Sequence, residues 1–264
     1  MRSAAVGFQC PSCVKDGHAS ARVPKAAYGG KAHAEPRITQ LLIGLNVVMF
    51  LLTTATGTGL AFGGSPSRLF QQLALVPTTE LAGQHVLTGD GVAQGAYYRL
   101  LTSTFLHFGI VHIAVNMYCL LLIGPALESA LGRLRFTALY VLSGLSGAAL
   151  SYSLGPTLQI AAGASGAVFG LFAAYFVLEH RRGGDVSAIS ATILINLFIS
   201  FVASSYIDWR GHVGGLVGGA LVAAAFVYAP AGRQRWVYQA LGAVVVAVLI
   251  VAVVAARTAQ LTTA

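Results

Sequence analysis

Six stretches of at least 21 residues run without a single Asp, Glu, Lys or Arg: 38–67, 100–127, 136–178, 186–207, 211–232 and 236–256. An α-helix rising 1.5 Å per residue needs about 20 residues to cross a hydrocarbon layer of about 30 Å, so every stretch is long enough to span a bilayer. The 43 residues of 136–178 suffice for two crossings, and Gly155-Pro156 near their middle marks the turn between them. Seven helices are therefore expected, near 39–58, 106–126, 135–154, 160–179, 187–206, 211–229 and 236–256. Residues 59–105 form the one long connection, and a loop of that length in a compact bundle is more often functional than idle.

Composition closes the other classes. The chain holds 24 charged residues in 264 and is 56% hydrophobic, where a soluble domain of this length carries about 66 charges. Disordered, collagenous and coiled-coil chains require polar or repetitive sequences that are missing. Glycine, at 31 residues, suits helices packed backbone to backbone in lipid. The fold class is an all-α polytopic transmembrane bundle. A net charge of +8 does not point to nucleic acid, because the basic residues sit in short clusters between apolar segments without interleaved aromatics. With the N-terminus inside, 12 Lys or Arg fall on inner segments and four (Arg68, Arg99, Arg210, Arg257) on outer ones, so the N-terminus is expected in the cytoplasm. Seven crossings then place the C-terminus and the loop 59–105 outside. Residues 1–37 contain six Lys or Arg and no apolar core, so no signal peptide is read there. Cys119 reads as a small packing residue. Cys10 and Cys13 form one C-x2-C, half of a zinc site, to which His18 or His33 adds no clear ligand set; no metal is assigned.

Ionisable or strongly hydrogen-bonding side chains inside a span are costly enough to mark function. His112 and Asn116 share one face of the second helix, at i and i+4. Ser165 stands near the start of the fourth helix in Gly163-Ala164-Ser165-Gly166-Ala167-Val168-Phe169-Gly170, and His212 opens the sixth in Gly211-His212-Val213-Gly214-Gly215. Each of these helices runs from outside to inside in the expected topology, so the four groups meet one depth below the outer surface. A hydroxyl, an imidazole to deprotonate it, and an imidazole and an amide to hold an oxyanion are the parts of acyl transfer. Taken singly, Ser165 reads as a hydroxyl bonded back to its own helix and His212 as an interfacial cap; their joint depth argues against that. Asp208, four residues before His212, reads first as a helix cap and second as a partner of the base. Gly211, Gly215 and Gly219, with Gly214 and Gly218, leave a broad face of the sixth helix without side chains, and the fourth helix with Gly163, Gly166 and Gly170 is its expected partner.

These residues resemble the rhomboid intramembrane serine proteases from about residue 38 to 230. The resemblance rests on Tyr98-Arg99-Leu100-Leu101-Thr102 leading into Phe105-Leu106-His107, on His112-x3-Asn116-Met117, on Gly124-x3-Glu128, on the stretch from Gly163 to Gly170, and on Gly211-His212-x2-Gly215-x3-Gly219. Tyr98 stands where the family often has Trp, and Phe169 where it often has Tyr. The resemblance implies a six-helix catalytic core over 38–230, a cytoplasmic N-terminal segment 1–37 and an additional C-terminal helix within 231–264. It implies Ser165 as nucleophile, His212 as general base and then acid, and an oxyanion hole from His112, Asn116 and the Ser165 N–H. By the same likeness Phe169 packs on the His212 ring, Gly163, Gly215 and Gly219 set the backbone around the dyad, and Arg99 and Glu128 tie the outer loop to the bundle. No cofactor is implied. The partners are transmembrane protein substrates in a bilayer, cut near the outer face.

Two other classes use glycine-rich helices and buried histidines: a catalytically silent relative that binds transmembrane clients, and a small transporter with His and Asn lining a polar path. A transporter typically shows inverted repeats, and this sequence has no such internal symmetry. Only the protease needs Ser165 and His212 together.

Overall fold

The computed structural model describes residues 2–3, 8–10, 12, 26–30, 35–57, 66–81, 84–85 and 89–263. Among them stand seven long helices: α1 Arg37–Ala55, α2 Ile110–Leu131, α3 Arg133–Leu154, α4 Ser165–Arg182, α5 Ser187–Val202, α6 Trp209–Val227 and α7 Arg235–Thr263. Five, namely α1, α2, α3, α6 and α7, are long and apolar enough to cross a membrane. α4 has 18 residues and ends on Glu179, His180, Arg181 and Arg182, while α5 is apolar but has only 16. The remaining helices and strands among the described residues are short helical turns at Arg68–Leu73, Arg99–Thr102 and Ser103–Phe105, and two antiparallel pairs of two-residue strands, Arg2–Ser3 with Phe8–Gln9 and Glu80–Leu81 with Gln84–His85. Of the N-terminal C-x2-C, Cys10 is exposed; Cys13, His18 and His33 lie outside the described residues.

Helix α6 sits at the centre, flanked by α3 and α4, with α7 laid over α3 and α6 and with α1 against α2. Its glycine stripe explains this position. A Cβ on Gly214 would lie 2.6 Å from the Ser146 carbonyl of α3, and one on Gly215 would collide with the Gly166 carbonyl of α4. The stripe thus serves two neighbours, Gly214 and Gly218 facing α3, Gly215 and Gly219 facing α4. Below it the apolar core closes around Leu127, Phe136, Leu139, Leu171, Val222 and Phe226. The outward faces expose large apolar side chains in rows, Val111 and Tyr118 on α2, Leu194, Phe198 and Val202 on α5, and Val251 on α7. A soluble monomer does not present such continuous apolar surface, whereas lipid solvates it.

Two helices begin later than the charge gaps suggest. α2 starts at Ile110 instead of near 106, because Ser103–Phe105 forms a separate turn and Gly109 is extended. α4 starts at Ser165 instead of near 160, because Ala161 pairs with Leu75 in a β-bridge and Gly163, at φ +148°, adopts a conformation that side chains other than glycine's rarely tolerate. Between α4 and α5 the Asp185 carboxylate accepts the Ser187 N–H at 2.8 Å and its hydroxyl at 2.9 Å, which together hold its pKa below the usual carboxylate range.

The described part of the long connection is folded across one end of the bundle. The buried Arg99 guanidinium donates to the carbonyls of Gln71 (2.6 Å) and Ala74 (2.8 Å), and the Thr102 hydroxyl donates to Leu73 (2.7 Å). Backbone pairs Leu75–Ala161 and Thr78–Thr157 fasten the same segment to the approach to α4. Arg99 therefore ties the loop to itself, and the backbone pairs, not Arg99, carry its attachment to the bundle. Glu128 does something else: its carboxylate accepts the N–H groups of Ile38 (3.0 Å) and Thr39 (2.9 Å) and the Thr39 hydroxyl (2.9 Å), with Arg133 at 3.7 Å. Those amides belong to the first turn of α1, where no helical carbonyl can reach them and negative charge is favoured. Glu128 thus fastens α1 to α2, and not the loop. Converting Glu128 to Ala strands two buried donors of Thr39, the half-buried Ile38 N–H and the Arg133 charge, and we expect a loss of about 3–5 kcal/mol, read as a fall in the midpoint of reversible unfolding in detergent micelles.

Candidate active site

The late start of α4 decides the geometry. Ser165 is the first residue of α4, not a residue one turn inside it, so its N–H is among the terminal donors with no carbonyl partner in their own helix. The preceding loop is held by the Gly163 N–H donating to the Ser103 carbonyl at 3.0 Å. A Cβ on Gly163 would lie 2.8 Å from Cε1 and 2.9 Å from Nε2 of His112, and 3.4 Å from the Ser165 hydroxyl. His112 and Ser165 therefore flank the same glycine, and its bare Cα is what lets them approach.

His112 stands in the first turn of α2, its ring parallel to Phe108 and edge-on to the buried His107, with centroids 5.0 Å apart in the latter pair. The Phe108 N–H donates to His112 Nδ1 at 3.4 Å, at the long end of hydrogen-bond range. A ring nitrogen that accepts leaves the proton on the other, so this contact favours the tautomer with N–H at Nε2, on the Gly163 side. One turn along, Asn116 is buried and its amide nitrogen donates to the His112 carbonyl at 2.8 Å. That bond uses one of its two N–H groups and fixes the plane of the side chain.

His212 stands in the first turn of α6, and its ring lies on Phe169 of α4, with centroids 4.3 Å apart and planes at 17°. Phe169 in turn meets Phe172 edge-on. On the opposite nitrogen, His212 Nδ1 lies 2.7 Å from the Ser200 hydroxyl of α5, which also donates to the Asn196 carbonyl at 2.6 Å. Gly166 and Gly215, the residue after Ser165 and the residue three after His212, are in direct backbone contact. Four helices thus converge: α2 with His112 and Asn116, α4 with Ser165 and Phe169, α6 with His212, and α5 with Ser200. A cavity opens beside them, lined by Ser103, Gly147, Ser151, Ser165, Asp208 and Gly211.

Asp208 occupies the cap position of α6, yet its side chain makes no cap hydrogen bond, and it is not the group on His212 Nδ1. Both readings of Asp208 from the sequence are corrected: it lines the cavity instead. Ser200 was not singled out in the sequence. Its signal was available, since Asn196 and Ser200 are two polar residues one turn apart in the otherwise apolar run 193–202. Cys119 packs among apolar side chains near Phe169 and Phe172. Among the described residues no group of His, Cys, Asp and Glu could hold a metal ion.

Comparison with known proteins bears on the same residues. A model of the rhomboid domain matches residues 94–229, from just ahead of Arg99 to the end of α6. The chain is 35% identical to rhomboid protease GluP of Bacillus subtilis over 214 residues, which make up 76% of this chain and 37% of that protein. To YdcA of the same bacterium it is 38% identical over 136 residues, 50% of this chain and 68% of the relative. To RHOMBOID-like protein 5 of Arabidopsis thaliana it is 33% identical over 138 residues, 48% of this chain and 43% of the relative.

Proposed function

Because the chain belongs to the rhomboid family, we propose that this multi-pass membrane protein is a serine endopeptidase that cuts transmembrane segments of other proteins near the outer face of the membrane. The observation that supports this best is the backbone contact of α4 with α6 at Gly166 and Gly215, which sets Ser165 and His212 at the head of the same helix pair. In the proposed reaction His212 Nε2 takes the proton of the Ser165 hydroxyl as its oxygen attacks the scissile carbonyl. The oxyanion that forms is met by the Ser165 N–H at the positive end of α4, by His112 Nε2–H and by the second N–H of Asn116. As the tetrahedral species collapses, His212 returns the proton to the leaving amine, and water then attacks the acyl ester with the same histidine as base. Phe169 supports the His212 ring from one face throughout. The cavity bordered by Ser165 and Asp208 offers a route for that water.

Reaction of the purified, detergent-solubilised protein with a fluorophosphonate probe tests this directly. Wild type is expected to label and Ser165→Ala to stay unlabelled. A folded wild type that refuses the probe would favour a silent binder of transmembrane clients, for which neither residue has a chemical task.

The proposed topology places residues 1–37 in the cytoplasm, with a core over 38–230 and α7 as an additional crossing in 231–264. Tags at residue 30 and at the C-terminus should then report opposite sides in a protease-protection or thiol-accessibility assay. Tags on one side would remove the seventh crossing.

A further inference from the structure

We propose that Ser200 is a positioning residue that fixes the tautomer and the tilt of His212, so that the working unit is Ser165, His212 and Ser200 on three helices. The inference rests on the protease reading and concerns a residue outside the dyad. A serine hydroxyl has one hydrogen to donate and lone pairs to accept with. At 2.6 Å from the Asn196 carbonyl, an acceptor with no hydrogen of its own, the Ser200 hydroxyl must spend its hydrogen there. Its 2.7 Å contact with His212 Nδ1 is then satisfied in one way only, with Nδ1–H donating to the Ser200 oxygen. Nε2 is left with the lone pair that a general base requires. Ser200 is 1% exposed, so water does not compete for the ring nitrogen.

The arrangement persists through the cycle. When Nε2 has taken the Ser165 proton, the imidazolium still donates from Nδ1 to the same oxygen, a bond strengthened by the charge. The Nδ1 proton never leaves the ring, and Ser200 neither gains nor loses one. An uncharged acceptor serves here where a carboxylate would have to be desolvated among apolar helices, at a far greater cost.

Together with Phe169, the contact removes both remaining freedoms of the ring. Stacking on Phe169 fixes its plane, and the bond to Ser200 fixes its rotation within that plane. His112 is arranged the opposite way, accepting at Nδ1 and so keeping its proton on Nε2. The two histidines are thus held in complementary forms, one as base and one as donor.

The test uses the full chain, labelled with 15N-histidine, in detergent micelles. The His212 signals, assigned by their loss in His212→Ala, should show a protonated Nδ1 and a bare Nε2 at neutral pH, and this should hold in Ser165→Ala too. Ser200→Ala should mix the two tautomers and lower kcat about tenfold, the factor expected from one ordinary hydrogen bond, with KM unchanged. Ser200→Thr, which keeps the hydroxyl, should restore both. A wild type that labels with the probe but carries its His212 proton on Nε2 overturns this inference alone. So does a Ser200→Ala protein with unchanged kcat and tautomer. A wild type with the Nδ1–H form that never labels sinks the protease reading and leaves the hydrogen bond standing.

Discussion

Replacing either Ser165 or His212 by alanine is expected to lower cleavage of a transmembrane substrate by about 10⁴-fold or more, and replacing both together is expected to do no further harm. The reason is that neither group has the function without the other. A hydroxyl without a base is a poor nucleophile, and a base without a hydroxyl beside it has nothing to deprotonate. Residual activity in all three variants should be equal, because the oxyanion donors on α2 and at the start of α4 are untouched. Initial rates on a reporter whose membrane segment carries small residues near its outer end provide the measurement. Two single variants whose losses multiply in the double would mean that Ser165 and His212 act separately, and the dyad would be wrong.

The second large effect is on the fold. Valine at Gly215 should prevent the bundle from assembling or destabilise it by at least about 4 kcal/mol, the range reached only when a core is forced apart. Its Cβ has nowhere to go, since the colliding atoms are the carbonyl and Cα of Gly166 and not the movable end of a side chain. Gly219, whose Cβ would meet the backbone of Gly170, should behave in the same way. Gly44 of α1 provides the contrast: it is exposed, nothing lies within 4 Å of its Cβ position, and Ala there should stabilise the helix by up to about 1 kcal/mol. Thermal unfolding in detergent, followed by circular dichroism, separates the two cases. A Gly215→Val protein that melts with the wild type would contradict the close contact of α4 and α6.

Most of this architecture was legible because charge is excluded from lipid, so the gaps between charges mark the helices almost directly. The ends were less legible. Nothing in the charges of 136–178 announces that 160–164 is extended; that is imposed by pairing with Leu75, some 86 positions earlier in the chain. The error mattered for the site, because a helix beginning at 160 would bury the Ser165 N–H in its own hydrogen-bond ladder, while one beginning at 165 leaves it open. The glycine stripe showed that something approaches α6 but not that two helices do. Asp208 attracted attention because it is charged and near His212 in sequence, whereas the group on His212 Nδ1 is a neutral serine 12 residues away on another helix. Glu128 was assigned to the loop by resemblance, and only the fold reveals that its neighbours are the first amides of α1.

The contact between α4 and α6 is built from backbone, and this determines how the pair responds to heat. Side chains at an interface hop among rotamers and let the elements they join drift. Gly166 against Gly215 and Gly170 against Gly219 have no such hops available. Ser165 and His212 are therefore spaced by two rods touching directly, as a jig holds two parts, and their separation should stay nearly constant on warming until the helices part.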